Sequence, residues 1–171
     1  MKRKPPIRSL RTFELMDLTL SPKTEAHVKV AGEQIVLARL ATITPGERIT
    51  LAKRASKRVA AALLLDPDPR VMQAALTNPR MTMASVAGAI ADERACQPLV
   101  HAICRDPRWY AQPEVQVALL RNPHTPRARA LYFIGELPVT VLRGLSEYLS
   151  PELQAEVSKE LVRRKEGKAS V

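Results

Sequence analysis

The sequence predicts an all-α protein, a short curved α-solenoid of about eight to ten stacked short helices. Four similar turns support this fold class, because each places an acidic or amide residue and a proline between short apolar stretches with helical spacing. The four pairs are Asp66-Pro67, Asn78-Pro79, Asp106-Pro107 and Asn122-Pro123. Helices of about 8 to 12 residues are too short to be stable alone in water, so they must gain stability by stacking.

Composition agrees with a folded helical chain. The 171 residues suffice for one domain with a sizeable core, and 46% of them are hydrophobic, close to the globular average. With one Trp, three Tyr and two Phe, the core must consist mainly of aliphatic side chains. No stretch approaches the roughly 20 apolar residues of a membrane span, and the basic N-terminus lacks the apolar run of a secretory signal. We therefore expect a soluble protein.

Three segments follow from the pattern of charge and proline. Residues 1–20 are expected to form a basic, flexible N-terminal arm, whose later apolar residues dock it onto the body. Residues 21–162 form the predicted helical-repeat domain. Residues 163–171 are expected to be a flexible polar tail.

The first half of the repeat domain contains four predicted helix starts. Ser21-Pro22 offers an N-cap hydroxyl and a proline at the first helical position, and this helix should bury Ala31, Ile35 and Ala38. Thr44 and Glu47 match a capping box, with Ile49 and Ala52 turned inward and Lys53 and Arg54 towards solvent. Further N-caps are expected at Ser56 and Asp68.

The second half of the repeat domain contains further helix-start signals of the same kinds. Thr82 is expected to cap a helix that buries Val86 and Ile90, and residues 95–105 should form the next one. A helix should then begin at Pro113. Thr125 is the expected N-cap of its successor, and further helices should follow Leu137-Pro138 and Ser150-Pro151.

The phrase LDPDPRVMQAALTNPRMT, within residues 65–91, resembles the leucine-rich repeat variant and the wider class of HEAT-like helical repeats. ALLRNPHTP, from Ala118 to Pro126, is similar to the second half of that phrase. The resemblance implies short helices stacked into a curved superhelix that serves for binding. The N-terminal cysteine cluster that holds an iron–sulphur centre in one variant-repeat protein is missing here, so that cofactor is not implied, and no catalytic motif of the HEAT-like DNA glycosylases is found.

Basic residues beside the repeat prolines are the first candidates for contact with a partner. Arg80, Arg108 and His124 directly follow such a proline, while Arg105 and Arg121 directly precede an Asp-Pro or Asn-Pro pair. In the first repeat the residue after the proline is Asp68, which carries the opposite charge. Arg70, two residues later, is the basic candidate there instead. If the turns stack in register, these side chains form one basic edge that binds phosphates. Alternatively, they are a solvated edge, since cations near helix C-termini also favour the helix dipole.

Trp109 and Tyr110, directly after Arg108, have two interpretations. Trp, Tyr and Arg are common in binding hot spots. A single Trp in a core of small residues is also a frequent plug between helices. Both interpretations remain open from the sequence.

No catalytic, metal or cofactor site is expected. Cys96, His101 and Cys104 share one helical segment, but Cys96 and Cys104 lie about 12 Å apart along the axis, too far for a common zinc ion or a disulfide. There is no Gly-rich phosphate loop, nucleophile elbow or helical H-E-x-x-H. The two cysteines are taken as reduced thiols of a cytoplasmic protein.

The predicted function is a non-enzymatic binding or scaffold module that presents a groove or edge to a protein partner. The alternative is a nucleic-acid-binding module that uses the basic edge. The net charge of +10 and the pI near 10.1 favour anionic partners in general.

Overall fold

A computed structural model describes the backbone of residues 6–169 and the side chains of residues 6–166. Within that range the chain is all-helical, without strands. Residues 1–5 of the expected arm and residues 170–171 of the expected tail lie outside the described residues. The chain divides into two compact units, Met1–Ser85 (unit 1) and Val86–Val171 (unit 2).

Unit 1 contains a short 3-10 helix and five α-helices, and the division between the units falls within a sixth helix. The elements are the 3-10 helix Ile7–Ser9, α1 (Thr12–Leu20), α2 (Ala26–Arg39), α3 (Pro45–Arg54), α4 (Lys57–Leu63), α5 (Pro69–Leu76) and α6 (Met83–Ala91). α1 packs on α2, α2 on α4, and α3 and α4 both pack on α5. In two cases, α2 with α4 and α3 with α5, a helix therefore packs against the second helix after it in the chain.

Unit 2 contains six further α-helices and a second 3-10 helix. They are α7 (Gln97–Arg105), α8 (Pro107–Tyr110), α9 (Pro113–Arg121), α10 (Arg127–Glu136), α11 (Val139–Leu145), the 3-10 helix Ser146–Tyr148 and α12 (Pro151–Ala169). The described residues thus form twelve α-helices, more than the eight to ten predicted. The count differs because α1 lies in the segment assigned to the arm, and because α8 is a single turn inside a connection.

The segment before residue 21 is tied to the body of unit 1. Leu15 and Met16 of α1 are buried, and the Arg39 guanidinium of α2 donates to the carbonyl oxygens of Leu10 and Arg8 at 2.7 and 2.9 Å. Residues 7–9 and 12–20 are therefore helical, and α1 packs on α2 in the segment where a flexible arm is expected to dock its apolar residues onto the body. At the other end, α12 continues to Ala169, past residue 163 where the tail is predicted to begin.

The expected start of α2 is wrong, and its expected buried face is wrong in part, since Ala31 and Ile35 are half-buried. The helix begins at Ala26 rather than after Ser21, because Ser21 Oγ accepts the Lys23 N–H at 3.3 Å in a local turn. Its buried residues are Gly32 and Val36, while Ala38 is exposed. Gly32 allows α1 and α2 to approach closely here, since a Cβ would lie 2.8 Å from the Thr19 Cγ2 of α1 and one of the two would have to shift.

Several predicted caps are confirmed. Thr44 Oγ accepts the Glu47 N–H at 3.3 Å, and the Glu47 carboxylate accepts the Thr44 N–H at 2.9 Å. The backbone N–H of Thr44, and after it the Thr44 hydroxyl, which donates to the same carboxylate at 2.8 Å, lower the pKa of Glu47. Asp68 caps α5 through the Arg70 N–H at 2.9 Å, and Thr82 Oγ accepts the Ser85 N–H at 3.3 Å.

Two other hydroxyl caps are wrong. Ser56 occupies the N-cap position of α4, but its hydroxyl makes no capping bond there. Thr125 Oγ donates to the Leu119 carbonyl at 2.6 Å, so it closes the end of α9 instead of capping α10, which begins at Arg127 after Pro126. In both cases the residue type fits a cap, but the buried Ser56 hydroxyl makes no hydrogen bond among the described residues, and the Thr125 hydroxyl bonds to the preceding helix.

Two asparagines explain why Asn-Pro recurs. Asn78, after α5, accepts the Arg80 N–H through Oδ1 at 2.8 Å and donates through Nδ2 to the carbonyls of Ala52 and Ala55 at 2.7 and 3.1 Å. Asn122, after α9, accepts the His124 N–H at 2.9 Å and donates to the Ile90 carbonyl at 2.7 Å. Each asparagine therefore closes its own turn and satisfies carbonyls that an earlier helix end leaves without an intrahelical partner.

Candidate binding surface

The turn arginines Arg70 and Arg108 are each paired with the aspartate two residues before them. Asp68 Oδ2 lies 2.8 Å from Arg70 Nη2, and Asp106 Oδ2 lies 2.7 Å from Arg108 Nη2. Each aspartate also accepts the backbone N–H of its arginine. The side-chain hydrogen bond from Arg70, with the backbone one, lowers the pKa of Asp68 to about 2. These two arginines are exposed, but their charge is compensated.

The structure contains a third pair of an aspartate with the arginine two residues later, which the sequence did not lead us to predict. Asp92 accepts the Arg94 N–H at 2.9 Å, and Arg94 Nη2 lies 2.9 Å from Asp92 Oδ2. The side-chain hydrogen bond from Arg94, followed by the backbone one, lowers the pKa of Asp92 to about 2. No proline follows Asp92, so the pattern of Asp-Pro and Asn-Pro pairs does not include this turn. A search for Asp-x-Arg spacing would have found it.

Arg80 is placed differently from the other turn arginines. Asn78 stands in the aspartate's position, so the turn supplies no carboxylate. The exposed Arg80 side chain instead donates to the Arg54 carbonyl at 3.3 Å, at the C-terminal end of α3. It is thereby brought next to other cations of unit 1.

The remaining polar candidates lie in unit 2. Arg105 and His124 are exposed. Arg121 is exposed as well, and its guanidinium lies 4.9 Å from the centre of the Tyr148 ring, a cation–π distance. The expected basic edge is thus divided between the units, with Arg70 and Arg80 in unit 1, and its continuity stays a prediction.

Trp109 lies in the core of unit 2. It is 5% exposed, with the Arg108 guanidinium 5.2 Å from the ring centre. This favours the interpretation as a plug between helices over that of a surface hot spot. Tyr110 is half-buried, 6.4 Å from the Phe133 ring, with the Arg129 guanidinium 4.8 Å from its centre.

A shallow groove of about 440 Å³ runs between α3 and α5 in unit 1. Its lining is mostly apolar and includes Ile49, Pro69 and Ala74, with Lys53 and Arg70 as its charged members. The other lining residues are Gln73 and Thr77. Ile49 is half-buried in this groove rather than turned fully inward as expected.

Five exposed cations gather where α3 ends and α4 begins. We call this set the basic corner; its members are Lys53, Arg54, Lys57, Arg58 and Arg80. Arg54 lies 3.6 Å from Asp17, and both side chains are more than two-thirds exposed, so this ion pair is weak. The corner is therefore strongly positive.

The net charge is unequal in the two units. Unit 1 has 15 Lys and Arg and 7 Asp and Glu, a net charge of +8, whereas unit 2 has 12 and 10, a net charge of +2. Most of the excess charge thus belongs to the unit that carries the groove and the basic corner.

The described side chains contain no group of three or more His, Cys, Asp or Glu placed to hold a metal ion. Both cysteines are free, and burial raises the pKa of the Cys104 thiol. Among residues 6–169 no helix combines the length and apolar character needed to cross a bilayer.

Comparison of the chain with protein families, curated proteins and solved structures found no match.

Proposed function

We propose that the chain is a non-enzymatic binding module of the helical-repeat type, whose groove between α3 and α5 docks a protein partner. In this proposal the short helices stack as a curved α-solenoid, as the resemblance to leucine-rich repeat variant and HEAT-like repeats implies. The repeated bonding of Asn78 and Asn122 to earlier helix ends supports such a repeat. The two free cysteines fit a reduced, cytoplasmic location.

The observation that carries the proposal is the groove itself. Apolar concavities with a few charged groups at the rim are the usual anchoring points of protein interfaces. The neighbouring carboxylates Asp66 and Asp68 both have structural partners. The buried Asp66 forms an ion pair with the half-buried Arg48, with 2.7 Å between Nε and Oδ2, and Asp68 caps α5.

A photo-crosslinking experiment tests the proposal. A benzophenone amino acid is placed at Gln73, an exposed position in the groove, and at Val30, an exposed position on α2, in cells that produce the protein. A protein that is crosslinked from Gln73 but not from Val30 is identified and its binding measured with purified components. We expect Ile49→Ser to weaken that binding about tenfold or more, and Val30→Ser to leave it unchanged. Crosslinks to nucleic acid alone, or equal crosslinks from both positions, would contradict the proposal.

Nucleic-acid binding is the second candidate function, favoured by the net charge of +8 in unit 1. A basic edge that neutralises several phosphates binds duplex DNA at low salt, and the affinity falls steeply as salt rises. Undetectable binding to random duplex at low salt excludes this function. If binding is seen but charge reversal at Arg80, Arg105, Arg108 and Arg121 does not change it, the basic edge is the wrong surface.

A further inference from the structure

We propose that the groove and the basic corner form one continuous site for an acidic segment of a partner protein. Apolar side chains of that segment would occupy the groove, and its carboxylates would contact the corner. This inference rests on the proposed function and names the chemistry of the partner.

The groove and the corner are continuous because the C-terminal ends of α3 and α5 adjoin. Asn78, after α5, donates to the carbonyls of Ala52 and Ala55 at the end of α3, and Arg80 donates to the Arg54 carbonyl. Lys53 both lines the groove and belongs to the corner. A segment that lies along the groove therefore reaches the corner at one end.

The charges along this path indicate which end of the bound segment is acidic. At the start of α5 the Arg70 charge is compensated by Asp68, with Nη2 to Oδ2 at 2.8 Å. At the opposite end the five corner cations have Asp17 as their one acidic partner within 4 Å among the described side chains. Carboxylates of a ligand are therefore favoured at the corner end and its apolar residues beside α5.

Two of the corner cations are not explained by helix stability. Lys53 and Arg54 lie in the last turn of α3, where positive charge is favourable. Lys57 and Arg58 lie in the first turn of α4, where positive charge opposes the helix dipole and acidic residues are preferred. Their position is costly for folding and useful for attracting an anionic partner.

The surroundings favour a protein over a nucleic acid. Binding of single strands relies on aromatic side chains for base stacking, and the only aromatic residue of unit 1 is Phe13 on α1, which does not line the groove. A sugar–phosphate backbone also offers no side chain to fill an apolar groove. An acidic segment with apolar residues complements both parts of the site.

Fluorescence anisotropy with the full chain and designed peptides tests this inference. The first probe is a labelled peptide of about 16 residues with Leu at helical spacing in one half and Glu in the other half. The second replaces Leu by Gln and keeps the charge, the third replaces Glu by Gln, and the fourth probe is a labelled DNA duplex of similar length. At about 150 mM salt we expect the first peptide to bind at least about tenfold more tightly than each of the other three probes.

Substitutions in the groove and in the basic corner then test whether the first peptide binds at these two places. We expect the double variant Lys57→Glu/Arg58→Glu to weaken the first peptide at least about tenfold, and Ile49→Ser to weaken it as well. The matched controls are Lys23→Glu/Arg143→Glu, which makes the same change of net charge at two exposed positions, and Val30→Ser. Acidic residues in the first turn of α4 favour the helix dipole, so circular dichroism should show that the corner variant keeps its fold.

The inference is overturned if the Gln-for-Leu peptide binds as well as the first one, because charge alone then suffices. It is also overturned if the duplex binds more tightly and loses its affinity in the corner variant. If Gln73 crosslinks a protein that has no acidic segment, the inference fails while the proposed function stands. If Gln73 crosslinks no protein, the proposed function itself fails.

Discussion

Removal of the Asn78 side chain should destabilise unit 1 by an amount that follows from its bonds. The residue is 4% exposed and makes three hydrogen bonds, to the Ala52 and Ala55 carbonyls and from the Arg80 N–H. At about 0.5–1.5 kcal/mol net for each bond, Asn78→Ala should lower the free energy of unfolding by roughly 2–4 kcal/mol.

Asn78→Asp is a sharper test, because it keeps the acceptor and replaces the donor by a carboxylate oxygen that faces two carbonyls. Burial and these oxygens should raise the pKa of the introduced carboxyl in the folded state above its unfolded value of about 3.9. The protonated form is then the one that the fold favours. Relative to the parent protein, the variant should therefore be most stable below about pH 4 and lose stability as pH rises through the folded-state pKa.

Urea unfolding followed by circular dichroism at acidic and neutral pH measures both effects. Hydrogen exchange adds a local readout, because the amides in the last turn of α3 should lose protection in the Asn78 variants. Gln34→Glu, the same chemical change at an exposed position of α2, should change stability by no more than about 0.5 kcal/mol. A loss below about 0.5 kcal/mol in Asn78→Ala, or an Asn78→Asp variant as stable as the parent protein at neutral pH, would refute the role assigned to this side chain.

Three further predictions follow from other contacts. Gly32→Ala should cost about 1–3 kcal/mol through its clash with Thr19 Cγ2, and Thr19→Ser, which removes that methyl group, should restore much of the loss in a double-mutant cycle of unfolding free energies. Asp66→Ala leaves the half-buried Arg48 guanidinium without its ion-pair partner, so urea unfolding should show a loss of about 1–3 kcal/mol; a loss near zero would contradict the assignment. In an NMR titration Asp92 should have a pKa of about 2, and Arg94→Ala should raise it towards about 3.9. Because this pKa is depressed by folding, the stabilisation it reports is present above about pH 4 and is lost as pH falls through about 2; an unchanged pKa in the variant would show that the pairing does not form in solution.

Part of the binding surface can be found from the sequence. Arg70 and Arg80 are recognisable because both lie next to a repeat turn, and Lys53 and Arg54 because they fall on the polar side of α3. The compensation of Arg70 by Asp68 is also local, since Asp-x-Arg spacing suffices to form it. The groove is not recognisable in this way, because Ile49 and Ala74 resemble ordinary core residues until α3 and α5 are placed side by side.

The helical nature of the chain, and the points where many of its helices begin or end, can be predicted from the sequence alone. Proline and the capping side chains act within a few residues of themselves, so these features need no knowledge of the packing. The sequence could not determine that Trp109 is buried, that α2 buries Gly32 rather than Ala38, or that residues 12–20 form a helix packed on α2. Those outcomes depend on which helix faces which. Only the tertiary structure could bring Arg80 to the carbonyl of Arg54 and so gather cations from separate parts of the chain beside one apolar groove.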